Sequence, residues 1–212
     1  MKILEITTCL PCRNRCSYCP QELLMKNYRG IDTLTLEKFK EMLKNVPKDV
    51  IINFAGFVEP FQNNECVDMI VYADKMGYKI KVFTTLVGFT KKDADKIKHI
   101  KFDRFYIHEL NTETEKIEYP FITDRMNEAE YKPFLTSRAG NLWKVPYKEQ
   151  VTGCLAQGNC SDAVALPNGD LYCCMDYGLT KKLGNIFEMN FNDIPKLTEF
   201  KLCHYCEYAK TN

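Results

Sequence analysis

Strand-like and helix-like segments alternate along the first half of this chain. The strand-like segments are apolar or alternate apolar with polar residues, and they lie at 2–8, 49–56, 78–86 and 102–110. Between them, apolar residues with helical spacing occupy 35–46, 64–77 and 91–100. Strands that alternate with helices form parallel βαβ units with right-handed crossovers. The sequence therefore predicts an α/β fold built on a parallel sheet.

Capping residues predict where two of these helices begin and end. Thr35 precedes the first apolar-periodic residue and is expected to be an N-cap. Asn64 is the expected N-cap of the second helix, and Gly77 is expected to end it.

Polar segments follow each predicted strand. Parallel sheets place their chemistry at the carboxyl ends of the strands. The segments expected to meet at this carboxyl edge are Thr8–Cys19, Gly56–Pro60, Thr84–Gly88 and His108–Asn111.

Four cysteines fall within the stretch CLPCRNRCSYCPQ, directly after the first predicted strand. Cys12, Cys16 and Cys19 have the spacing CxxxCxxC, which lets one short loop wrap three thiolates around one inorganic centre. A structural zinc site needs four protein ligands and is usually built from two separated pairs. Three thiolates in one loop fit an iron-sulfur cluster with one open iron better. Cys9 and Cys66 are expected to be core residues.

Composition limits the remaining classes of protein. The chain has 212 residues and 11 cysteines, with 29 Lys and Arg against 28 Asp and Glu, so its net charge of +1 argues against general nucleic-acid binding. The first residues lack the apolar region of a secretory signal, and no stretch has the length of a membrane span. We therefore expect a cytoplasmic protein, in which cysteines are metal ligands or reduced core residues rather than disulfides.

The stretch CRNRCSYC after a first strand, in a chain of βα repeats, resembles the radical S-adenosylmethionine (radical SAM) enzymes. The resemblance spans about residues 1–112. It implies a partial, shortened parallel βα barrel in which Cys12, Cys16 and Cys19 hold a 4Fe-4S cluster whose open iron binds SAM.

The same resemblance implies a set of SAM-binding residues. Tyr18, just before the last cysteine, is expected to touch the adenine. The segment GFVEP at 56–60 stands where the family usually carries GGEP, so Glu59 is expected to hold the amino group of the methionine moiety. The implied residues are Tyr18, Gly56, Glu59, Thr85 and His108, with Glu109 and Asn111 as alternatives to His108 near the ribose.

The last third of the chain carries a second group of cysteines. The stretch DAVALPNGDLYCCMD predicts a hairpin around PNGD. Cys154, Gly169, Cys174 and the terminal Cys203-His-Tyr-Cys206 resemble the twitch lobe, the shortened relative of the SPASM extension. This resemblance implies a radical SAM domain at 1–150 and an auxiliary lobe at 151–212. The implied ligands of a second iron-sulfur cluster, expected to be 4Fe-4S, are Cys154, Cys174, Cys203 and Cys206.

Two alternatives for this group stay open. Cys160 competes with Cys154, and Cys173 competes with Cys174, since Cys173 and Cys174 are adjacent and point to opposite faces of a strand. A zinc ribbon is the alternative for the whole group, because cysteine pairs on a hairpin and a CxxC also suit tetrahedral zinc.

The implied activity is reductive cleavage of SAM to a 5′-deoxyadenosyl radical that abstracts a hydrogen from a substrate. With an auxiliary cluster, we expect a net oxidation (dehydrogenation) or an epimerisation of a small molecule or sugar. An electron donor such as flavodoxin or ferredoxin is the expected partner. The alternatives are a peptide-modifying maturase and a non-enzymatic zinc or iron-sulfur binding module. Candidates to line a polar pocket are Tyr119, Arg125, Tyr131, Arg138 and Trp143.

Overall fold

The computed structural model describes residues 2–14, 16, 19–107, 129–131, 137–154, 162–195 and 201–211. Several predicted residues lie outside these ranges: Tyr18, His108, Glu109, Asn111, Tyr119, Arg125 and Cys160. For residues 129–131, which include Tyr131, the structure describes the backbone alone.

All four predicted strands form in the first half of the chain. They are β1 (Ile3–Ile6), β2 (Ile51–Phe54), β3 (Ile80–Thr84) and β4 (Arg104–Ile107), followed by β5 (Ala129–Tyr131). The helices are α1 (Gln21–Asn27), α2 (Leu36–Leu43), α3 (Cys66–Lys75) and α4 (Lys91–Ile97). The last three are the predicted helices, whereas α1 was not predicted.

The last third contributes five short strands. They are β6 (Gly153–Cys154), β7 (Ala163–Ala165), β8 (Asp170–Tyr172), β9 (Lys182–Asn185) and β10 (Ala209–Lys210). The predicted hairpin is confirmed, because β7 and β8 are antiparallel and Gly169, with φ 84°, lies in the turn between them.

One sheet of eight strands, in the order β5-β4-β3-β2-β1-β7-β8-β9, organises the molecule. Strands β1 to β5 pair in parallel, which confirms the predicted α/β fold. The hairpin joins the same sheet, since β7 pairs in parallel with the other edge of β1. Among the described residues, β6 and β10 pair in a second, antiparallel sheet.

The main core lies between one face of the sheet and the helices. Leu4 and Ile6 of β1 and Phe54 of β2 are buried in the same apolar cluster as Phe39 of α2 and Ile70 of α3. Successive strand residues point to opposite faces, so the residues between them face away from these helices. Cys66 is fully buried in this core, as predicted, whereas Cys9 is only partly buried.

The helix ends match the sequence in two of three cases. Thr35 is the N-cap of α2, and its hydroxyl accepts a hydrogen bond from the backbone N–H of Lys38. Gly77, with φ 79°, follows α3 as predicted. Asn64 is not the N-cap of α3: Glu65 takes that position, and its N–H donates to the side chain of Asn63 at 2.8 Å. Within the described ranges, no helix has the length and apolar character needed to cross a membrane.

Candidate active site and auxiliary cysteine group

The cysteine loop, residues 9–19, follows β1 in the sequence, and its described residues contact the segment 56–62 that follows β2. The N–H of Arg13 donates to Gln62 Oε1 at 2.7 Å, and Gln62 Nε2 donates to Asn14 Oδ1 at 2.8 Å. Just before the loop, Thr8 Oγ1 donates to the carbonyl of Pro60 at 2.9 Å. Hydrogen bonds from residues 8, 13 and 14 therefore join this part of the chain to the segment after β2.

A third segment meets them at the end of β3. Asn14 Nδ2 donates to Thr85 Oγ1 at 2.9 Å, and the backbone N–H of Glu59 donates to Cys12 Sγ at 3.4 Å. Three of the four segments predicted to meet at the carboxyl edge thus do so. The fourth, His108–Asn111, lies outside the described residues.

The three thiols of the CxxxCxxC motif lie close enough to influence one another. The N–H of Cys19 donates to the carbonyl of Cys16 at 3.1 Å, which folds the loop into a turn. Burial raises the pKa of Cys12, and the charges of Glu59 and Cys16 raise it further. The pKa of Cys19 is raised to about 11, first by burial and then by the charge of Cys12. A bound cationic centre would offset both effects, because metal ligation favours thiolates.

Glu59 is buried, and its carboxylate joins the segment after β2 to the end of β3. Oε1 accepts from Thr84 Oγ1 at 2.6 Å, and Oε2 accepts from Thr85 Oγ1 at 2.7 Å and Thr85 N at 2.5 Å. Burial raises the pKa of Glu59, although the hydrogen bonds from Thr84 and Thr85 oppose that rise. Its predicted contact with the SAM amino group stays a prediction.

Gly56 occupies a position that admits only glycine. Its φ is 66°, and an added Cβ would lie 2.2 Å from Thr7 Oγ1. Its N–H donates to Glu5 Oε1 at 2.8 Å, while the N–H of Phe57 donates to Thr7 Oγ1 at 3.1 Å. The backbone after β2 is therefore held against β1 and the adjoining Thr7, next to the cysteine loop.

Two residues beside the loop carry no motif signal. The ring of Tyr177 lies 4.4 Å from that of Phe57, and burial is the main cause of its raised pKa. Arg138, one of the predicted pocket residues, is close to Cys19 and Tyr177. Its positive charge opposes the rise in the pKa of both side chains. Trp143, another pocket candidate, is 48% exposed. Spacing along the chain does not reveal that residues this distant approach the cysteine loop.

Five cysteines meet in the last third of the chain, and we call them the C-terminal cysteine group: Cys154, Cys173, Cys174, Cys203 and Cys206. Burial raises the pKa of Cys206 to about 11, and the charges of Cys174 and Cys154 add to this effect. The pKa of Cys173 is raised by hydrogen bonds with Cys174 and Cys203 and by burial. Cys173 is therefore part of the group, together with the four implied ligands.

Three separate segments supply these cysteines, since Cys203 and Cys206 belong to the same one. Cys154 lies on β6, outside the hairpin formed by β7 and β8. Cys173 and Cys174 follow β8, and Cys203 lies in a short 3-10 helix, Lys201–Tyr205. Among the ten cysteines that the structure describes, none forms a disulfide. In the same ranges, no three His, Cys, Asp or Glu side chains are placed to hold a single metal ion.

Residues 137–154, where no helix or strand was predicted, contact the C-terminal residues 201–211. Lys148 Nζ donates to the carbonyls of Glu207 and Ala209, at 3.2 and 2.9 Å. The N–H of Ser137 donates to Glu207 Oε1, and Tyr147 stacks on His204 with ring centroids 4.9 Å apart. The C-terminal cysteine group thus depends on contacts across more than 50 residues of sequence.

Comparisons with known proteins place the fold. No protein-family model and no curated protein matches the chain. The solved structure of BtrN in complex with AdoMet and 2-DOIA matches with a TM-score of 0.69 and 17% identity, covering 91% of this chain and 81% of that one. Native anSMEcpe with bound AdoMet matches with a TM-score of 0.64 and 13% identity, covering 96% and 84%.

A third solved structure, Streptococcus suis SuiB bound to S-adenosylmethionine, has a TM-score of 0.51 and 13% identity, covering 90% of this chain and 64% of SuiB. At such identities, the likeness establishes a shared fold. That fold is the one which the cysteine motif and the βα repeats predicted, the fold of the radical SAM enzymes.

Proposed function

From this fold and its cysteine loop we infer that the chain is a radical SAM enzyme. The observation that carries the proposal is the position of the CxxxCxxC loop. It follows the carboxyl end of the first strand, its three thiols are close enough to influence one another's pKa, and Cys12 Sγ accepts a hydrogen bond from the segment after β2. The solved structures of BtrN, anSMEcpe and SuiB named above share this fold and contain AdoMet or S-adenosylmethionine.

In this proposal Cys12, Cys16 and Cys19 hold a 4Fe-4S cluster, and Tyr18, Gly56, Glu59, Thr85 and His108 hold SAM. When bound, the cluster and SAM supply a 5′-deoxyadenosyl radical that abstracts a hydrogen atom from a C–H bond. The chain's own residues position these groups. The Gly56 turn brings backbone close to the site, and Glu59 fixes the end of β3 through Thr84 and Thr85.

The C-terminal cysteine group is proposed to hold a second iron-sulfur cluster, in a lobe that spans 151–212. Cys154, Cys174, Cys203 and Cys206 are its proposed ligands, and Cys173 packs against two of them. A fully ligated cluster at this position would supply an acceptor for the one electron that the substrate radical loses when it is oxidised. A flavodoxin or ferredoxin is the proposed electron donor to the enzyme.

The proposed reaction is a net oxidation or an epimerisation of a small molecule or sugar. The BtrN structure supports a small molecule, because it contains 2-DOIA and its TM-score is 0.69. A second candidate is modification of a peptide, supported by native anSMEcpe with bound AdoMet and Cp18Cys peptide, with a TM-score of 0.62 and 14% identity.

Anaerobic reconstitution with iron and sulfide tests the proposal. We expect about eight iron atoms per chain and formation of 5′-deoxyadenosine when SAM and dithionite are added. Bound zinc without SAM cleavage, even after reconstitution with iron, would establish the non-enzymatic module instead. About four iron atoms per chain, together with SAM cleavage, would support the radical SAM activity and contradict the proposed auxiliary cluster.

A further inference from the structure

Gln21, the first residue of α1, lies beside the last cysteine of the CxxxCxxC motif. Its Oε1 is 3.8 Å from Cys19 Sγ, and in this pair the thiol donates to the amide oxygen. The nitrogen of the same amide is different: Gln21 Nε2 is buried, and no acceptor among the described residues lies within hydrogen-bond distance of it. A buried N–H without an acceptor lowers stability, because it has lost its hydrogen bonds to water. An unsatisfied donor is therefore buried beside a proposed cluster ligand.

Ligation of iron reverses the hydrogen-bonding role of Cys19. A cysteine that binds a metal is a thiolate, which has no S–H to donate and only accepts hydrogen bonds. An amide oxygen 3.8 Å from that sulfur then faces a negative charge. Rotation of the Gln21 amide by 180° exchanges the oxygen for the NH₂ group, which is a donor. The side chain then pairs with the thiolate, and the N–H that lacked an acceptor gains one.

The sulfur of Cys19 differs from that of Cys12 in the source of its contacts. Cys12 Sγ accepts at 3.4 Å from the backbone N–H of Glu59, a donor that a change of side chain does not remove. Around Cys19, the positive charge of Arg138 and a hydrogen bond from the backbone of Gln21 oppose the rise in pKa that burial causes. The environment of Cys19 thus already favours negative charge, and the Gln21 amide is a contact that substitution can remove.

We propose that the Gln21 amide donates an N–H···S hydrogen bond to Cys19 and thereby raises the reduction potential of the loop cluster, the 4Fe-4S cluster proposed at Cys12, Cys16 and Cys19. Reduction adds negative charge to a cluster, so a hydrogen bond to one of its sulfurs stabilises the reduced form more than the oxidised form. Gln21 is a positioning residue, since it acts on the cluster through Cys19. This inference rests on the proposed function and adds a residue that sets how readily the cluster accepts an electron.

Gln21→Met tests the proposal, because methionine has a similar length and volume but no N–H. Redox titration of the reconstituted protein, followed by electron paramagnetic resonance, measures the potential. The signal that is absent from the variant without Cys12, Cys16 and Cys19 identifies the loop cluster. Gln21→Met is expected to make one-electron reduction of this cluster roughly tenfold less favourable, which lowers its potential by about 59 mV. An unchanged or higher potential would overturn the proposal.

Gln62→Met is the matched control. Gln62 also contacts the cysteine loop, but both ends of its amide are hydrogen-bonded: Oε1 accepts from Arg13 N at 2.7 Å, and Nε2 donates to Asn14 Oδ1 at 2.8 Å. Its replacement is expected to lower the unfolding midpoint of the iron-free protein by roughly 4 °C. The potential of the loop cluster should shift less than in Gln21→Met. Equal shifts would mean that any disturbance near the loop changes the potential, and the assignment to Gln21 would fail.

Stability without iron provides a second readout. Gln21→Met removes an N–H that has no acceptor and a single contact with a thiol at 3.8 Å. The unfolding midpoint of the iron-free variant is therefore expected to match or exceed that of the wild type. If it falls as far as that of Gln62→Met, Gln21 has a structural role and the proposal is overturned.

Failure of the proposed function would look different. Deoxyadenosine formation by the wild type tests whether the chain is a radical SAM enzyme, whereas the redox titration does not depend on SAM. An active enzyme whose loop cluster keeps its potential in Gln21→Met would retain the function and contradict this inference. A cluster that responds to Gln21→Met in a protein that does not cleave SAM would do the reverse. A cysteine loop that binds zinc and no iron would overturn both.

Discussion

The two cysteine sites of this molecule are assembled in opposite ways. The three thiols of the cysteine loop come from eight consecutive residues, Cys12 to Cys19, and the loop is aligned by Gln62, Asn14 and the backbone of Glu59. The C-terminal cysteine group draws five thiols from three segments between Cys154 and Cys206. The first site is local, and the second exists only when distant parts of the chain are folded together.

The ligand geometry of the two sites depends on different parts of the chain. A contiguous loop keeps its ligand spacing whatever happens elsewhere, so its chemistry depends on the three cysteines themselves. The C-terminal group has one thiol more than a four-ligand cluster needs, and its geometry depends on contacts such as Lys148 with Glu207 and Ala209. We therefore expect the two sites to respond differently to matched substitutions.

Removal of thiols from either site should give the largest contrast. Cys12→Ala, Cys16→Ala and Cys19→Ala together should reduce deoxyadenosine formation to background and remove about four iron atoms per chain. The matched double variant Cys154→Ala with Cys206→Ala should also lose about four iron atoms but still cleave SAM. Iron analysis and chromatography of the nucleoside product measure both. Loss of SAM cleavage in the double variant would contradict the separation of the sites.

Separate substitutions of the adjacent Cys173 and Cys174 determine which of them is a ligand in the second site. Cys174→Ala should remove the auxiliary iron, because Cys174 is a proposed ligand, whereas Cys173→Ala should retain it. Iron content and the iron-sulfur absorption of the two variants decide the matter. The reverse result would make Cys173 the ligand, which its contact with Cys203 would then explain.

Gly56 lies in the segment that contacts the cysteine loop, and Gly77, which follows α3, serves as its matched control. Both have positive φ, 66° and 79°, but an added Cβ meets Thr7 Oγ1 at 2.2 Å at Gly56 and nothing within 4 Å at Gly77. Gly77→Ala should lower the free energy of unfolding by about 1 kcal/mol from backbone strain. Gly56→Ala should lower it by about 3 kcal/mol or more, since the clash adds to the strain. Equal losses in denaturant unfolding would show that Thr7 moves aside.

Lys148→Met should lower the stability less than Gly56→Ala does. It removes two hydrogen bonds to the carbonyls of Glu207 and Ala209 and keeps the aliphatic part of the side chain, so we expect a loss of about 1–3 kcal/mol. Hydrogen exchange should locate the loosening at 201–211, with β1 to β4 unchanged. A uniform increase in exchange would instead mean that the end of the chain supports the whole sheet.

Local pattern was sufficient to predict strands β1 to β4, helices α2 to α4 and their βα order, because apolar periodicity and caps such as Thr35 act within a few residues. It was not sufficient at Asn64, where the neighbouring Asn63 bonds the start of α3 instead. The hairpin was also predictable, since its turn sequence is local. That its strand β7 would pair with β1 was not, because pairing of distant strands depends on which sheet edge is exposed.

The sequence by itself determined the fold class and the CxxxCxxC ligand spacing. Both follow from residues that are neighbours along the chain, where bond geometry limits what can form. Only the tertiary structure decided that Cys173 joins the other four cysteines, that Glu59 bonds Thr84 and Thr85, and that Glu5, Asn53, Lys81 and Arg104 form one row. For the row, the cause is register, because a shift of one residue between strands would send a side chain to the opposite face of the sheet. Cys173 and Glu59 lie outside the strands, and their contacts depend on the packing of segments that are distant in sequence.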